Sequence, residues 1–80
     1  MKLNVLAFGI AKDIFSGSAI DVELTGEATV TALRISLENQ FPRLKQLASY
    51  MVAVNNEYAS AEDVLQLRDE IAIIPPVSGG

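Results

Sequence analysis

Leu3, Val5 and Ala7 alternate with Lys2, Asn4, Leu6 and Phe8 at the start of the chain, a period of two that predicts a strand. One face of that strand is wholly apolar; the other begins polar and turns apolar at Leu6 and Phe8. From Gly9 to Ala19 the chain carries Gly9, Ser16, Gly17 and Ser18. Such a stretch reads as a connection, with a helical turn around Ala11–Phe15. Ile20-Asp21-Val22-Glu23-Leu24 is the cleanest alternation in the sequence and predicts a half-exposed strand, ended by Thr25 and Gly26.

Beyond Gly26 the period changes. Val30, Leu33, Leu37 and Phe41 recur at spacings of three and four, which lays them along one face of a helix. Thr29 is placed to cap its N-terminus through its hydroxyl. Pro42 ends it, because the residue before a proline is driven out of helical geometry. Leu44 and Leu47 continue the core in a short turn, and Tyr50-Met51-Val52-Ala53-Val54 is rich in strand formers. Asn tolerates positive φ, so Asn55-Asn56 predicts a tight turn into a short strand at Glu57-Tyr58-Ala59. Ile71-Ala72-Ile73-Ile74 is apolar on both faces, as expected of a central strand.

The order is therefore strand, strand, helix, strand, short strand, strand. One main helix that covers one face of a mixed sheet and serves as a crossover gives an α+β fold of the β-grasp (ubiquitin-like) type. Residues 1–74 would form the β-grasp domain, and 75–80 a flexible C-terminal Gly-Gly tail. The outer face has no second helix to cover it. Leu6, Phe8, Ile74 and one of the pair Val52 and Val54 are expected there, forming an apolar partner interface.

Composition sharpens this picture. The chain has 80 residues, half of them hydrophobic, and a domain this short buries only about 60–65% of the surface of its unfolded chain. Some apolar side chains must remain outside, in keeping with a partner-binding face. There is no Cys and no His. Disulfides, thiolate catalysis and Cys-based zinc sites are thereby excluded, and the commonest general base is missing. Ten acidic residues against six basic ones give a net charge of −4, and Lys2, Lys12, Arg34, Arg43, Lys45 and Arg68 are scattered. That distribution argues against nucleic acid. The longest uncharged run, Gln46 to Asn56, is far short of the roughly 18 residues of a membrane span. Lys2 followed by Leu3–Ala11 mimics an export signal only faintly, and a cytoplasmic location is expected.

After Ile74 the composition changes abruptly to Pro75-Pro76-Val77-Ser78-Gly79-Gly80. Pro-Pro is stiff, extended and unable to donate to a sheet. Six extended residues reach about 20 Å, and the last two have no side chain, so the end fits a narrow channel. Such a stem presents the Gly80 carboxylate at a distance. A carboxylate resists attack until it is joined to AMP; the acyl adenylate then yields a thiocarboxylate to sulfur or an amide to an amine. A terminal Gly-Gly alone is a weak motif. Placed straight after the last strand of a β-grasp, it is far more specific.

The ending Asp69-Glu70-Ile71-Ala72-Ile73-Ile74-Pro75-Pro76-Val77-Ser78-Gly79-Gly80 resembles that of the molybdopterin synthase small subunits. Val5-Leu6-Ala7-Phe8, Thr29-Val30 with Leu33, and Ala53-Val54-Asn55 extend the resemblance over nearly the whole chain. It implies a sulfur carrier in molybdenum cofactor biosynthesis, the non-catalytic sulfur-donating subunit of a sulfurtransferase. A ubiquitin-activating-type enzyme would adenylate Gly80 with ATP, and a sulfur donor would convert it to a thiocarboxylate. The tail, Pro75 to Gly79, would then insert into the large synthase subunit, in a heterotetramer of two small and two large chains. There the sulfur passes to a cyclic pyranopterin precursor. No cofactor would be bound by this chain itself; the ATP belongs to the adenylating partner. One departure stands out: where the family has Asp-Gly-Asp before the last strand, this chain has Leu67-Arg68-Asp69. Arg68 disfavours positive φ, so that turn is expected to differ in shape.

Three other assignments carry less weight. Glu62-Asp63 and Asp69-Glu70 read as solvated acids rather than a metal site, since no other ligand types converge on them. Tyr50 and Tyr58 are expected to pack with their hydroxyls at the surface, and Ser78 has no base beside it. The same tail would also serve a carrier for thiamin or tRNA thiolation, or a ubiquitin-like protein modifier, because the activated terminus is identical until the last nucleophile arrives.

Overall fold

A computed structural model describes residues 1–47 and 49–75. The elements are β1 (Lys2–Ala7), α1 (Ile10–Phe15), β2 (Ala19–Glu23), α2 (Val30–Gln40), a 3-10 helix (Pro42–Gln46), β3 (Met51–Val54), β4 (Glu57–Tyr58) and β5 (Ile71–Ile74). They form a five-stranded sheet in the order β2-β1-β5-β3-β4. β5 lies between β1, to which it is parallel, and β3, to which it is antiparallel. The strand that reads as apolar on both faces is thus the central one, and the mixed β-grasp sheet is as expected.

The core fills the side of the sheet that α2 covers. Leu3, Val5 and Ala7 of β1, Val22 of β2, and Ile71 and Ile73 of β5 meet Val30, Leu33 and Leu37 of α2. Ala11, Ile14 and Phe15 of α1, with Leu44, extend this core, and the Phe15 and Phe41 rings meet at 4.8 Å with a tilt of 55°. The sequence pattern gives the apolar faces of the strands and of α2, but it does not mark Ala11, Ile14 and Phe15 as core, and one pair on β3 departs from it. Val52 and Val54 are two residues apart on β3 and must share a face. Val52 stands opposite Ile73 and Val54 opposite Ile71, so both belong to the core side; Met51 and Ala53 take the uncovered side instead.

A helix leaves its first N–H groups without partners inside the helix, and at α2 each of the first three finds one. Thr29 Oγ1 accepts from Ala32 N–H at 3.1 Å, the cap the sequence predicts. Val30 N–H donates to the Asp63 carbonyl at 3.0 Å, and Thr31 N–H to the Ala61 carbonyl at 3.1 Å. Leu65 N–H reaches the Ala28 carbonyl at 2.7 Å. These bonds stitch the long connection between β4 and β5 to the helix, so a segment without strands of its own is held in place.

Asn55 and Asn56 have φ of 55° and 70°, which makes the predicted two-residue hairpin turn of the primed type. Asn55 also holds the entry to β5: its side chain accepts from Glu70 N–H at 2.9 Å and donates to Asp69 at 3.1 Å. The turn at Leu67-Arg68 is closed by Asp69. Its N–H donates to the Gln66 carbonyl at 3.0 Å, and its carboxylate accepts from Gln66 N–H at 2.8 Å. Among the described residues the non-glycine positions with positive φ are Ser16, Asn55 and Asn56, so Arg68 adopts an ordinary backbone. A turn with this backbone needs no glycine.

Tyr50 corrects a second expectation. Its side chain is buried rather than lying with its hydroxyl at the surface. The hydroxyl donates to Glu38 and accepts from Arg34 Nε at 3.3 Å, while the Arg34 guanidinium lies 4.5 Å from the ring centre. Burial first, and then the bond to Glu38, push this phenol up to about 12 against the opposing pull of Arg34. It therefore stays protonated, and remains the donor to Glu38, throughout the neutral range.

Candidate functional site

The side of the sheet away from α2 carries the apolar groove. Strand register sets Leu6 of β1, Ala72 of β5, Ala53 of β3 and Tyr58 of β4 in one row across the sheet. The two alanines in the middle of that row are small, so the floor is low between larger neighbours. Leu6, Phe8, Ile74 and Tyr58 rise around it, with Asn56 and Glu70 at the polar end, and together they line a groove of about 310 Å³. Phe8 is 46% exposed and Tyr58 69% exposed, so two aromatic rings stand in water with nothing among the described residues to cover them. Such rings, adjacent to a concave apolar floor, are the kind of group that anchors protein interfaces.

Leu6, Phe8 and Ile74 thus lie where the sequence put them, on one face and around one groove. The pattern did not single out Ala53, Ala72, Asn56, Tyr58 or Glu70. Period two marks the face of a single strand, but the neighbours across a sheet depend on register between distant segments, as in the pairing of Leu6 with Ala72. The low floor had one visible signal, an alanine at the middle of each of two otherwise bulky strands.

β5 leads directly to the stem of the tail. Pro75 is half-buried and lies against Gly9, where the chain turns from β1 into α1. A Cβ built on Gly9 would stand 3.1 Å from Pro75 Cγ. Pro76, Val77, Ser78, Gly79 and Gly80, the remaining residues of the predicted tail, lie outside the described residues.

Several acidic side chains have partners within the chain. Asp63 accepts from Ser60 N–H at 2.9 Å, Asp69 closes its turn, and Glu23 pairs with the N-terminal ammonium at 3.0 Å. Among the described residues, no three acids gather into a metal-binding group. No helix there is long and apolar enough to cross a membrane.

Comparison with known proteins gives concordant matches. The profile of the ThiS family matches residues 5–80. The molybdopterin synthase sulfur carrier subunit of Arabidopsis thaliana is 33% identical, over 100% of this chain and 84% of its own length. The protein of the same description from Dictyostelium discoideum is 35% identical, over 99% and 96%. Among solved structures, small archaeal modifier protein 1 from Methanosarcina acetivorans has a TM-score of 0.80 at 26% identity, covering 99% of this chain and 96% of that one.

Proposed function

The chain belongs to the ThiS family, and from that premise we propose that it is the sulfur carrier subunit of a molybdopterin synthase. The observation that carries this reading is the 33% identity with such a subunit over the full length of the chain. Residues 1–74 are the β-grasp domain and 75–80 the tail. Gly80 attacks ATP through its carboxylate on an adenylating enzyme, releasing pyrophosphate. A sulfur donor displaces AMP, and the resulting thiocarboxylate gives its sulfur to a cyclic pyranopterin precursor bound by the large subunit. Pro75, Pro76, Val77, Ser78 and Gly79 carry the sulfur into that subunit in a heterotetramer. ATP serves the adenylating enzyme and is not held by this chain. With no cysteine to oxidise, the chain suits the reducing cytoplasm, where we place it.

The groove supports the partner assignment, because a large subunit must hold the domain while the tail reaches inside. Phe8, Leu6 and Ile74 form that contact. Phe8→Glu should weaken capture by the large subunit by about 2 kcal/mol, roughly thirtyfold. The melting temperature should hardly change, since the ring is half in water already. Titration calorimetry beside a thermal melt checks this, and undiminished capture would remove the groove from the interface.

The likeness to a small archaeal modifier protein favours one second reading, in which an amine takes the activated glycine in place of sulfur. Intact mass after incubation with the adenylating enzyme, ATP and a sulfur donor separates the two. Exchange of one oxygen for sulfur, reversed on adding large subunit and pterin precursor, is the carrier result. No exchange, with conjugates on lysines of other proteins, would replace the carrier by a modifier.

A further inference from the structure

Gly9 combines two features that a turn alone does not require. Its φ of 57° and ψ of −134° belong to a region open almost only to glycine, and Ala11 N–H closes the turn on the Phe8 carbonyl at 3.0 Å. The space beside its Cα is also occupied. Among the described residues, the chain neighbours of Gly9 aside, the atoms that a Cβ there would meet belong to the Pro75 ring, Cγ at 3.1 Å and Cδ at 3.9 Å. The sheet explains the meeting. Ala7 and Ile73 are the last paired residues of parallel β1 and β5, and Gly9 and Pro75 each follow by two. Proline has no N–H to extend the ladder, so the pair of strands ends instead with a ring laid on a bare glycine.

We infer that Gly9 is a positioning residue for sulfur transfer: it seats Pro75 and so fixes the point and direction from which the chain continues toward Gly80. This rests on the carrier reading, in which a glycine carboxylate must reach the active sites of two enzymes. A stem free to pivot at its base spreads the reactive end over many directions, and ordering it on binding weakens capture. A ring held at the base removes that freedom beforehand. The contact is made by the first tail residue, so it works without any group at the tip.

A double-mutant cycle with Gly9→Ala, Pro75→Ala and both together tests the inference. Each chain is thiocarboxylated, and three quantities are read: the carrier concentration for half-maximal transfer to the large subunit, the single-turnover rate at saturation, and the melting temperature. Gly9→Ala should raise the half-saturating concentration about tenfold in the Pro75 chain, with the saturated rate within about twofold. In the Pro75→Ala chain, which has no Cγ or Cδ to displace, it should add less than about twofold. The melting temperature should fall equally in both, because the backbone strain at position 9 does not depend on the ring. An equal factor in both backgrounds, or no factor in either, overturns the inference and leaves the carrier reading standing. If the parent chain takes up no sulfur, both fall. Should Gly9→Ala fail to fold, Pro75→Ala alone decides: capture weakened at least about fivefold at an unchanged melting temperature upholds the seat, and unchanged capture removes it.

Discussion

A chain ending at Gly79 is expected to lose roughly a thousandfold or more of its sulfur loading, yet to melt with the full-length chain. Removing one residue withdraws the carboxylate by about 3.3–3.6 Å. An adenylating site must bring that carboxylate within attacking distance of a phosphate, and a misplacement of about 1 Å already costs of the order of a hundredfold. The stem offers little compensation, because Pro75 and Pro76 hold φ fixed and Pro75 is seated against Gly9. The domain supplies the opposite expectation for stability. Its buried side chains run from Leu3 to Ile73 among the described residues, so nothing known to hold the core is lost with the last residue. Intact mass against time with the adenylating enzyme, ATP and sulfur donor gives the rate, and a thermal melt gives the control. Loading within about tenfold of the full chain would mean that the terminal position is not what the partner reads.

The contrast between tail and groove shows what the amino-acid order makes legible. Strand and helix identities were open to inspection, because they depend on neighbours in sequence: Leu3-Val5-Ala7 at period two, Val30-Leu33-Leu37 at three and four, Thr29 and Pro42 at the ends, and Asn55-Asn56 in the turn. The tail stands out for the same reason, as a composition change within six residues. What stayed hidden is what the fold brings together from afar. The floor of the groove joins Ala53 to Ala72, Pro75 reaches back to Gly9, and the carbonyls of Ala61 and Asp63 serve the start of α2. Tyr50 keeps its hydroxyl from the surface because its partners, Arg34 and Glu38, stand on a helix that comes earlier in the chain. The misplacement of Val52 and Val54 had a different origin. Period two alone forbids splitting residues i and i+2 between faces, so Val52 and Val54 share one whatever the register.

The same face logic yields the largest stability effect expected of a single side chain. Ile73 is fully buried in central β5, between Ala7 of β1 and Val52 of β3. Ile73→Ala removes three carbons from a site with strands on both sides and little freedom to collapse, and should cost about 3–4 kcal/mol. A domain of this size holds only about 4–12 kcal/mol in all. At roughly 4–8 °C per kcal/mol, the melting temperature should fall by about 12–30 °C. Ile74→Ala is the matched control, one residue on and the same change in chemistry. Its side chain is only half-buried, on the groove side, so the loss there should stay near about 1 kcal/mol, while capture by the large subunit suffers instead. On the proposed reading the two neighbours divide the duties of one strand: Ile73 holds β5 in the core, and Ile74, on the groove side, would offer it to a partner. Chemical denaturation of both variants, beside calorimetric binding, reads the division directly. Equal stability losses at the two positions would mean that β5 is buried on both sides, and the groove would then have no claim to be an open docking face.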